Sequence, residues 1–334
     1  MACRRTRRLA AICKHAFLIV LITLLCRLAL VRIADEAPRR TGEDSRGKIE
    51  AVGDDVVTPE EINQALEKLK IGLSRISIPC RRLVRMGGKL TCSCETKKCS
   101  VDGAKLVCLD EGVRPRPGRC FALSFGIGFE TSFDEALVNY GCRVIALDPT
   151  NSNITNVVHD VSITDKLRPV NKMNYLHHRK FHALNLGIDA KASTMILNIT
   201  TDGVGYLNSI ASFVTYKAIL DTLDNPRVDL LKIDIEGVEW RVLKQLLSSP
   251  DARHLLEHTR QILLEVHLDF LVNVANADDI FDGTITTLST LRLLEQFGFY
   301  IAAYDLNETG QKYFVFKEVK IPLYRELTLV KRFP

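Results

Sequence analysis

The sequence has little excess charge of either sign outside its amino terminus. Its 334 residues carry a formal net charge of +5, and a basic cluster near the start accounts for that excess: Arg4, Arg5, Arg7, Arg8 and Lys14. Because the remaining charge is balanced, we expect no nucleic-acid partner. Internal repeats and low-complexity tracts are also lacking, and 46% hydrophobic residues argue against disorder. The length suits one large α/β domain with appendages, or two modest domains.

An apolar run follows the basic cluster. It reads AFLIVLITLLC at residues 16–26, then Arg27, then LALV. The run is slightly short of the roughly 17 to 25 residues that span a bilayer, but Arg27 near one end can snorkel. Since Arg32 spoils the small-x-small cleavage pattern before Ala34, we favour an uncleaved anchor over a cleaved signal. This predicts a single-pass type II membrane protein with its chain after about Asp35 in the lumen of the secretory pathway, or a secreted protein if the signal is cleaved.

Clustered cysteines agree with an oxidising compartment. Six of them fall within about forty residues: Cys80, Cys92, Cys94, Cys99, Cys108 and Cys120. A zinc site is the alternative, but the segment has no CxxC pair and no histidine, which favours disulfides. We expect Cys108 to pair with Cys120, because both flank the first strand of the main domain, and Cys142 to be a buried free thiol. Three N-glycosylation triplets permit a luminal location: Asn153, Asn198 and Asn307.

Composition divides the chain into four regions. Residues 1–34 hold the basic cluster and the anchor, residues 35–57 a charged stem, residues 58–119 a helix and a cysteine-rich brace, and residues 120–334 the main domain. The sequence TPEE from Thr58 to Glu61 predicts a capping box at the start of a short helix.

Short apolar runs alternate with helical stretches from Cys120 onward, which indicates a parallel sheet built from βα units. The predicted strands are 120–125, 143–147, 181–184, 228–235, 261–266, 300–304 and 312–316. The predicted helices are 132–140, 212–223, 238–247 and 284–297. Because only the turn DLNETGQ separates the last two strands, we expect them to form an antiparallel hairpin at one edge of the sheet.

The stretch FALSFGIGFETSFD carries a possible ligand loop. A strand runs into Gly126-x-Gly128 and then into a helix, so backbone can approach a ligand closely. A dinucleotide fingerprint requires a third glycine where Thr131 stands, which disfavours NAD. The next strand ends at Asp148, whose carboxylate can accept hydrogen bonds from ribose hydroxyls. The alternative is that Asp148 is a turn residue before Pro149.

Acidic residues follow the apolar strand in VDLLKIDIEGVEW. Asp234 and Glu236 lie where ligands bind in doubly wound sheets, outside the carboxyl end of a strand. The alternative is that Glu236 and Glu239 only complement a helix N-terminus. Glu265 and His267 end the next strand, so we expect these side chains to converge on one cavity. Such a set can act as a general base with its orienting partner, or can hold a divalent cation.

Together these motifs carry a resemblance. SFGIGFETSFD, a strand ending in LDP, LLKIDIEGVEW and ILLEVH resemble the FkbM-type methyltransferase domain, closest to the methyltransferase-like protein 24 group, over about residues 75–320. The resemblance implies a class I, Rossmann-like α/β sheet of seven mostly parallel strands, here preceded by an anchor and a cysteine-rich segment, with S-adenosylmethionine as cofactor. It also implies the site residues: Gly126, Gly128 and Glu130 at the methionine end, Asp148 at the ribose, and Asp234 and Glu236 facing the transferred methyl.

The combined prediction is a luminal methyltransferase that uses S-adenosylmethionine and acts on an oxygen or nitrogen nucleophile. Its catalytic candidates are Asp234, Glu236 and His267, with Asp234 or His267 as the base. The alternative is a non-catalytic luminal binding protein that kept the fold. A divalent metal is compatible with these residues, but none is assigned as a ligand. The sequence does not indicate whether the acceptor is a small molecule, a glycan or a protein, nor the oligomeric state.

Overall fold

A computed structural model describes seven segments of the chain: residues 57–92, 99–128, 130–150, 181–201, 205–272, 276–306 and 311–332. All of them belong to the unit Val56–Pro334. The predicted anchor and nearly all of the predicted stem lie outside the described residues. Within the segments above, no helix has both the length and the apolar character to cross a membrane.

The described helices and strands alternate along the main domain. The helices are α1 (Pro59–Gly72), α2 (Ser132–Tyr140), α3 (Tyr216–Thr222), α4 (Glu239–Leu247), α5 (Ala252–Leu255) and α6 (Ala277–Gln296). The first strands are β1 (Leu83–Met86), β2 (Lys89–Cys92), β3 (Cys99–Asp102), β4 (Lys105–Cys108), β5 (Phe121–Phe125), β6 (Arg143–Leu147), β7 (Phe181–Leu184) and β8 (Gly187–Ile188). The remaining strands are β9 (Ser193–Thr201), β10 (Gly205–Val214), β11 (Leu230–Ile233), β12 (Gln261–His267), β13 (Phe299–Leu306), β14 (Tyr313–Phe316), β15 (Val319–Pro322) and β16 (Tyr324–Lys331).

Within the described residues, seven strands form the central sheet, in the order β13-β16-β12-β11-β5-β6-β7. Strand β16 runs antiparallel to both of its neighbours, and the other adjacent pairs are parallel. Alternate side chains enter two separate apolar clusters, as Leu231 and Leu230 of β11 illustrate. Burial on both faces explains the continuous apolar runs of these strands. The predicted α/β fold with a mostly parallel, seven-stranded sheet is confirmed.

The predicted edge hairpin is wrong. Strand β13 pairs with β16, whereas β14 pairs with β15 in a separate two-stranded sheet. The side chains of β14 are largely exposed, so this strand is unsuited to the middle of the domain. In β16 most side chains are buried, but Arg325 and Glu326 interrupt the apolar pattern and hid the strand from the sequence analysis.

Helix boundaries follow their capping residues. The predicted capping box is confirmed, since Thr58 Oγ1 accepts from the Glu61 backbone N–H at 3.3 Å and Glu61 Oε2 accepts from the Thr58 N–H at 2.8 Å. The helix predicted from residue 212 begins only at Tyr216, because the preceding residues belong to β10, and Thr215 caps it. Strands β8, β9 and β10, which form a three-stranded sheet, were not predicted.

Two disulfides differ from the predicted pairing. Cys108 bonds Cys80, and Cys120 bonds Cys142, so neither the Cys108–Cys120 bond nor the free Cys142 thiol is observed. Because β5 and β6 are adjacent and parallel, the residues preceding them lie side by side, with the Cα atoms of Cys120 and Cys142 4.7 Å apart. The disulfide of Cys108 also removes it from the alternative zinc site. The side chains of the other predicted cysteines lie outside the described residues: Cys92, Cys94 and Cys99.

Candidate active site

A crevice lies at the carboxyl ends of β5, β6, β11 and β12 and encloses a cavity of about 650 Å³. The chain leaves β5 for β6 on one side and later returns to β11 on the other, so the crevice lies at the point where the strand order reverses. Ligands of doubly wound sheets bind at this position, and the volume is within the range of small-molecule sites.

Two glycines shape the turn between β5 and α2. Gly126 has φ +75°, and a Cβ atom added there would lie 1.4 Å from the carbonyl oxygen of Asp234. Lys232 Nζ donates a hydrogen bond to the Gly126 carbonyl. Gly128 has φ +51°, but a Cβ atom there would meet no atom of the described residues within 4 Å. Gly126 is therefore required for packing against β11, whereas the Cβ side of Gly128 faces open space.

Asp148 and Glu130 hold this turn in place. The buried carboxylate of Asp148 accepts hydrogen bonds from the Gly128 N–H at 2.6 Å and from the backbone N–H and hydroxyl of Thr150 at 2.7 and 2.6 Å. Glu130 Oε1 accepts from the Ser132 N–H at 2.7 Å. Both residues line the crevice. The alternative role of Asp148 as a turn residue is thus observed, and its contact to Gly128 also ties it to the predicted ligand loop.

Two lysines neutralise Asp234. Its Oδ2 atom lies 3.2 Å from Lys105 Nζ and 3.2 Å from Lys232 Nζ. Burial alone would raise the pKa of Asp234, but the two ammonium groups outweigh burial and hold the pKa well below its usual range. Asp234 is therefore an anion with little tendency to accept a proton.

His267 is held as a cation by two carboxylates, the buried one of Glu239 and the exposed one of Glu236. Its Nδ1 lies 2.9 Å from Glu239 Oε1, and its Nε2 lies 3.5 Å from Glu236 Oε2. Burial opposes the charged form, yet the hydrogen bond and charge of Glu239, together with Asp234 and Glu236, raise the pKa of His267 to about 9. At neutral pH the imidazole is already protonated. It therefore suits orientation or charge stabilisation and not the role of a base.

Glu239 fixes the loop that precedes α4. Its fully buried carboxylate accepts hydrogen bonds from the backbone N–H groups of Ile235 at 2.9 Å and Gly237 at 3.1 Å. This agrees with the alternative that a glutamate complements the helix N-terminus, although the contact to His267 gives Glu239 a second task.

Glu236 differs from its neighbours. It is a non-glycine residue with φ +57°, a strained backbone conformation that is enriched at functional sites. Its side chain projects into the crevice with 87% of its surface accessible. The surrounding walls raise its pKa by partial desolvation, and nearby carboxylates add to this while His267 opposes it. Among the predicted catalytic residues, Glu236 is the best placed to take up a proton.

Several charged residues in the crevice region were not predicted from the sequence, among them Lys105, Lys232, Glu326 and Asp134. Lys105 Nζ lies 2.6 Å from Glu265 Oε2 and 2.5 Å from Glu326 Oε1, besides its contact to Asp234. Burial raises the pKa of Glu326 well above its usual range although Lys105 opposes it. Burial also raises the pKa of Asp134 in α2 to about 6. The partners of Lys105 lie more than a hundred residues away in the sequence, so no local pattern reveals them. The one signal for Lys105 itself is a lysine within the otherwise apolar stretch KLVC of β4.

The expected convergence of acidic residues and an imidazole is observed, but it does not lead us to assign a metal. Oxygen atoms of Asp234 and Glu236 and a nitrogen of His267 all lie within 4.8 Å of one another. However, the two ammonium groups beside Asp234 compete with a cation for the same carboxylate, and a cation would have to displace the proton of His267.

Comparison with known proteins places these residues in a family context. A family model described as Methyltransferase FkbM domain matches residues 120–299, more than half of the chain. "Probable methyltransferase-like protein 24" of Rattus norvegicus is 27% identical over 168 residues, which cover 49% of this chain and 38% of that protein. The Homo sapiens protein of the same name is 25% identical over 167 residues, covering 48% and 37%. The match thus spans well under half of each relative, and the predicted resemblance is confirmed.

Among solved structures, similarity is found to the C-terminal domain of precorrin-6Y C5,15-methyltransferase from Rhodobacter capsulatus. The identity is 13%, the match covers 66% of this chain and 84% of that chain, and the TM-score is 0.28. A score this low carries no argument about function.

Proposed function

The chain belongs to the FkbM methyltransferase family, and from that membership we propose that it transfers a methyl group from S-adenosylmethionine to an oxygen or nitrogen nucleophile. One observation carries the proposal. The open turn at Gly128, the carboxylate of Asp148 and the carboxylate of Glu236 all line a single cavity. A cofactor loop and a proton acceptor are thereby within reach of one bound ligand.

The cofactor end of the cavity fits S-adenosylmethionine, which supplies when bound a methyl group on a positively charged sulfur. The space beside Gly128 admits a ligand close to backbone. Asp148 accepts three hydrogen bonds, and a carboxylate has about four acceptor positions, so it can accept from a ribose hydroxyl in addition. Apolar side chains of Ile188 and Phe213 line the adjoining wall and suit an adenine ring.

At the other end of the cavity, we assign Glu236 as the general base. The acceptor atom forms a bond to the methyl carbon, the bond from that carbon to sulfur breaks, and the acceptor proton passes to Glu236. The raised pKa of Glu236 favours this proton transfer, whereas the lowered pKa of Asp234 does not. Asp234 and the His267–Glu239 pair orient the acceptor and fix the loop around Glu236.

Titration calorimetry of the full chain with S-adenosylmethionine and its demethylated product, S-adenosylhomocysteine, tests the cofactor proposal. We expect both to bind. Methyl transfer from isotope-labelled S-adenosylmethionine to a panel of hydroxyl and amine acceptors then tests the reaction. Glu236→Gln should lower turnover about 100- to 10,000-fold, as expected for loss of a general base, while its affinity for S-adenosylhomocysteine changes little. The exposed Glu318→Gln is the matched control and should retain full activity.

The non-catalytic alternative makes different predictions for the same experiments. No binding of either compound at millimolar concentration would overturn the cofactor proposal. Binding without transfer to any acceptor of the panel, or full activity of Glu236→Gln, would overturn the assigned chemistry.

We also propose that the domain lies in the lumen of the secretory pathway behind an amino-terminal anchor. The two disulfides support an oxidising compartment, and the basic cluster before the apolar run supports the orientation. Carbonate extraction of membranes should leave the full chain in the pellet. A soluble, shortened chain that begins near Asp35 would indicate a cleaved signal instead.

A further inference from the structure

Lys105 is a buried cation that reaches the crevice from outside the region matched by the family model. Its side chain is 2% exposed, and its strand, β4, precedes residue 120. The ammonium group contacts three carboxylates, those of Asp234, Glu265 and Glu326. A lysine is almost never fully buried unless it is paired, so these contacts account for its burial. They do not explain why the chain places a cation beside the reaction site.

Neighbouring residues fix the position of Lys105. Cys108 is bonded to Cys80, and its backbone N–H and carbonyl are both bound by the side-chain amide of Gln261, at 2.9 and 2.6 Å. The hydroxyl of Thr328 donates to the carbonyl of Leu106 at 2.7 Å. Strand β4 is therefore attached to β12 and β16 at the residues that follow Lys105. This attachment holds the ammonium group in one place.

The same segment also touches the cofactor loop. Gly103 has φ +74°, and a Cβ atom there would lie 2.4 Å from Cγ of Glu130. Gly103, Glu130 and Lys105 all line the cavity. The turn before β4 thus contacts one end of the cavity, and Lys105 contacts the carboxylates at the other.

We propose that Lys105 is a positioning residue that sets the charge of the methyl-transfer end by holding the carboxylates of Asp234 and Glu265 in a neutralised arrangement. This inference rests on the proposed function. S-adenosylmethionine carries a positive charge on sulfur, and that charge is lost as the methyl group leaves. Uncompensated carboxylates would bind the charged substrate more strongly than the transition state, which slows the reaction. Lys105 removes that excess attraction.

Charge-changing variants separate this role from a purely structural one. At a fixed pH above neutrality, calorimetry should show that Lys105→Met binds S-adenosylmethionine more tightly relative to S-adenosylhomocysteine than the wild type does. We expect the ratio to rise roughly tenfold, the effect of one unit charge at about 10 Å and an effective dielectric constant of about 20. Glu265→Gln should lower the ratio by a similar factor. The double variant, Lys105→Met with Glu265→Gln, should return it to within about twofold of the wild type.

Lys89→Met is the matched control, because Lys89 is exposed in the same cysteine-rich segment, and its ratio should not change. If Lys105→Met does not fold, the comparison of Glu265→Gln with the double variant still measures the contribution of Lys105. Equal changes in the affinities for both compounds, in every variant, would overturn the inference and leave Lys105 with a structural role. Failure of the wild type to bind either compound would instead overturn the proposed function, and this inference with it.

Discussion

Alanine at Gly126 and alanine at Gly128 should damage different properties of the protein, although the two residues share one turn. Both have positive φ, so a Cβ atom costs about 1 to 2 kcal/mol at either position. For Gly128 this is the whole expected loss of stability, because the added atom has no neighbour within 4 Å in the part of the chain that the structure describes.

At Gly126 the added atom would lie 1.4 Å from the Asp234 carbonyl oxygen, so the turn and the end of β11 must separate. That movement breaks the hydrogen bonds from Gly126 N–H to the Leu147 carbonyl at 2.9 Å and from Asp234 N–H to the Phe125 carbonyl at 3.1 Å. Each contributes about 1 kcal/mol net, and buried groups left unpaired cost more. We therefore expect Gly126→Ala to lose at least about 4 kcal/mol.

For protein that has folded, the loss of ligand affinity should follow the opposite order and be larger for Gly128→Ala than for Gly126→Ala. The open space beside Gly128 is where we place the cofactor, so Gly128→Ala should weaken binding of S-adenosylhomocysteine at least tenfold while remaining folded. Urea unfolding gives the stabilities, and calorimetry gives the affinity. Equal, small losses of stability for the two variants would refute the packing argument, and unchanged affinity of Gly128→Ala would refute the assigned cofactor position.

Two further variants test ionisable groups. Asp134 has a pKa of about 6 in the folded protein and 3.8 in an unfolded chain. Its contribution to stability is therefore fully present below pH 3.8 and is lost as the pH rises through 6, a loss of about 3 kcal/mol. Asp134→Asn should therefore be more stable relative to the wild type at pH 8 than at pH 4 by up to that amount in urea unfolding, and a difference independent of pH would contradict this. Asp148→Ala should weaken binding of S-adenosylhomocysteine about ten- to a hundredfold by calorimetry, as expected for loss of charge-assisted hydrogen bonds. Unchanged affinity would make Asp148 a turn residue only.

The sheet and the acidic residues at its edge could be predicted from the sequence because both depend on local patterns. Strands such as β5, β6 and β12 are apolar runs in the sequence, and Asp234 and Glu236 directly follow such a run. The carboxyl ends of adjacent parallel strands meet at one edge of the sheet. The convergence of the acidic side chains that follow these strands could therefore be inferred without knowing any contact.

The parts that could not be predicted depend on partners distant in sequence. In the sequence, Arg325 interrupts an apolar strand pattern, yet in the fold its guanidinium donates to the Leu73 carbonyl and the Ser74 hydroxyl, both at 2.8 Å. Lys105 and Glu326 likewise satisfy each other across more than two hundred residues. Without those partners, burial of each charge looks prohibitively costly, so a sequence pattern assigns it to the surface. The disulfide pairing of Cys120 was missed for a similar reason, since it follows from strand order.

The bond between Cys120 and Cys142 closes the β5–α2 segment of the first β-α-β unit into a covalent ring. It encloses β5, the glycine turn and α2, and its two ends are 22 residues apart in sequence. Closing a loop of that length lowers the entropy of the unfolded chain by an amount worth about 3 kcal/mol. A protease that cuts the loop once leaves both fragments attached. The segment that carries the glycine turn therefore stays attached to the rest of the domain after a single cut, as long as the bond is oxidised.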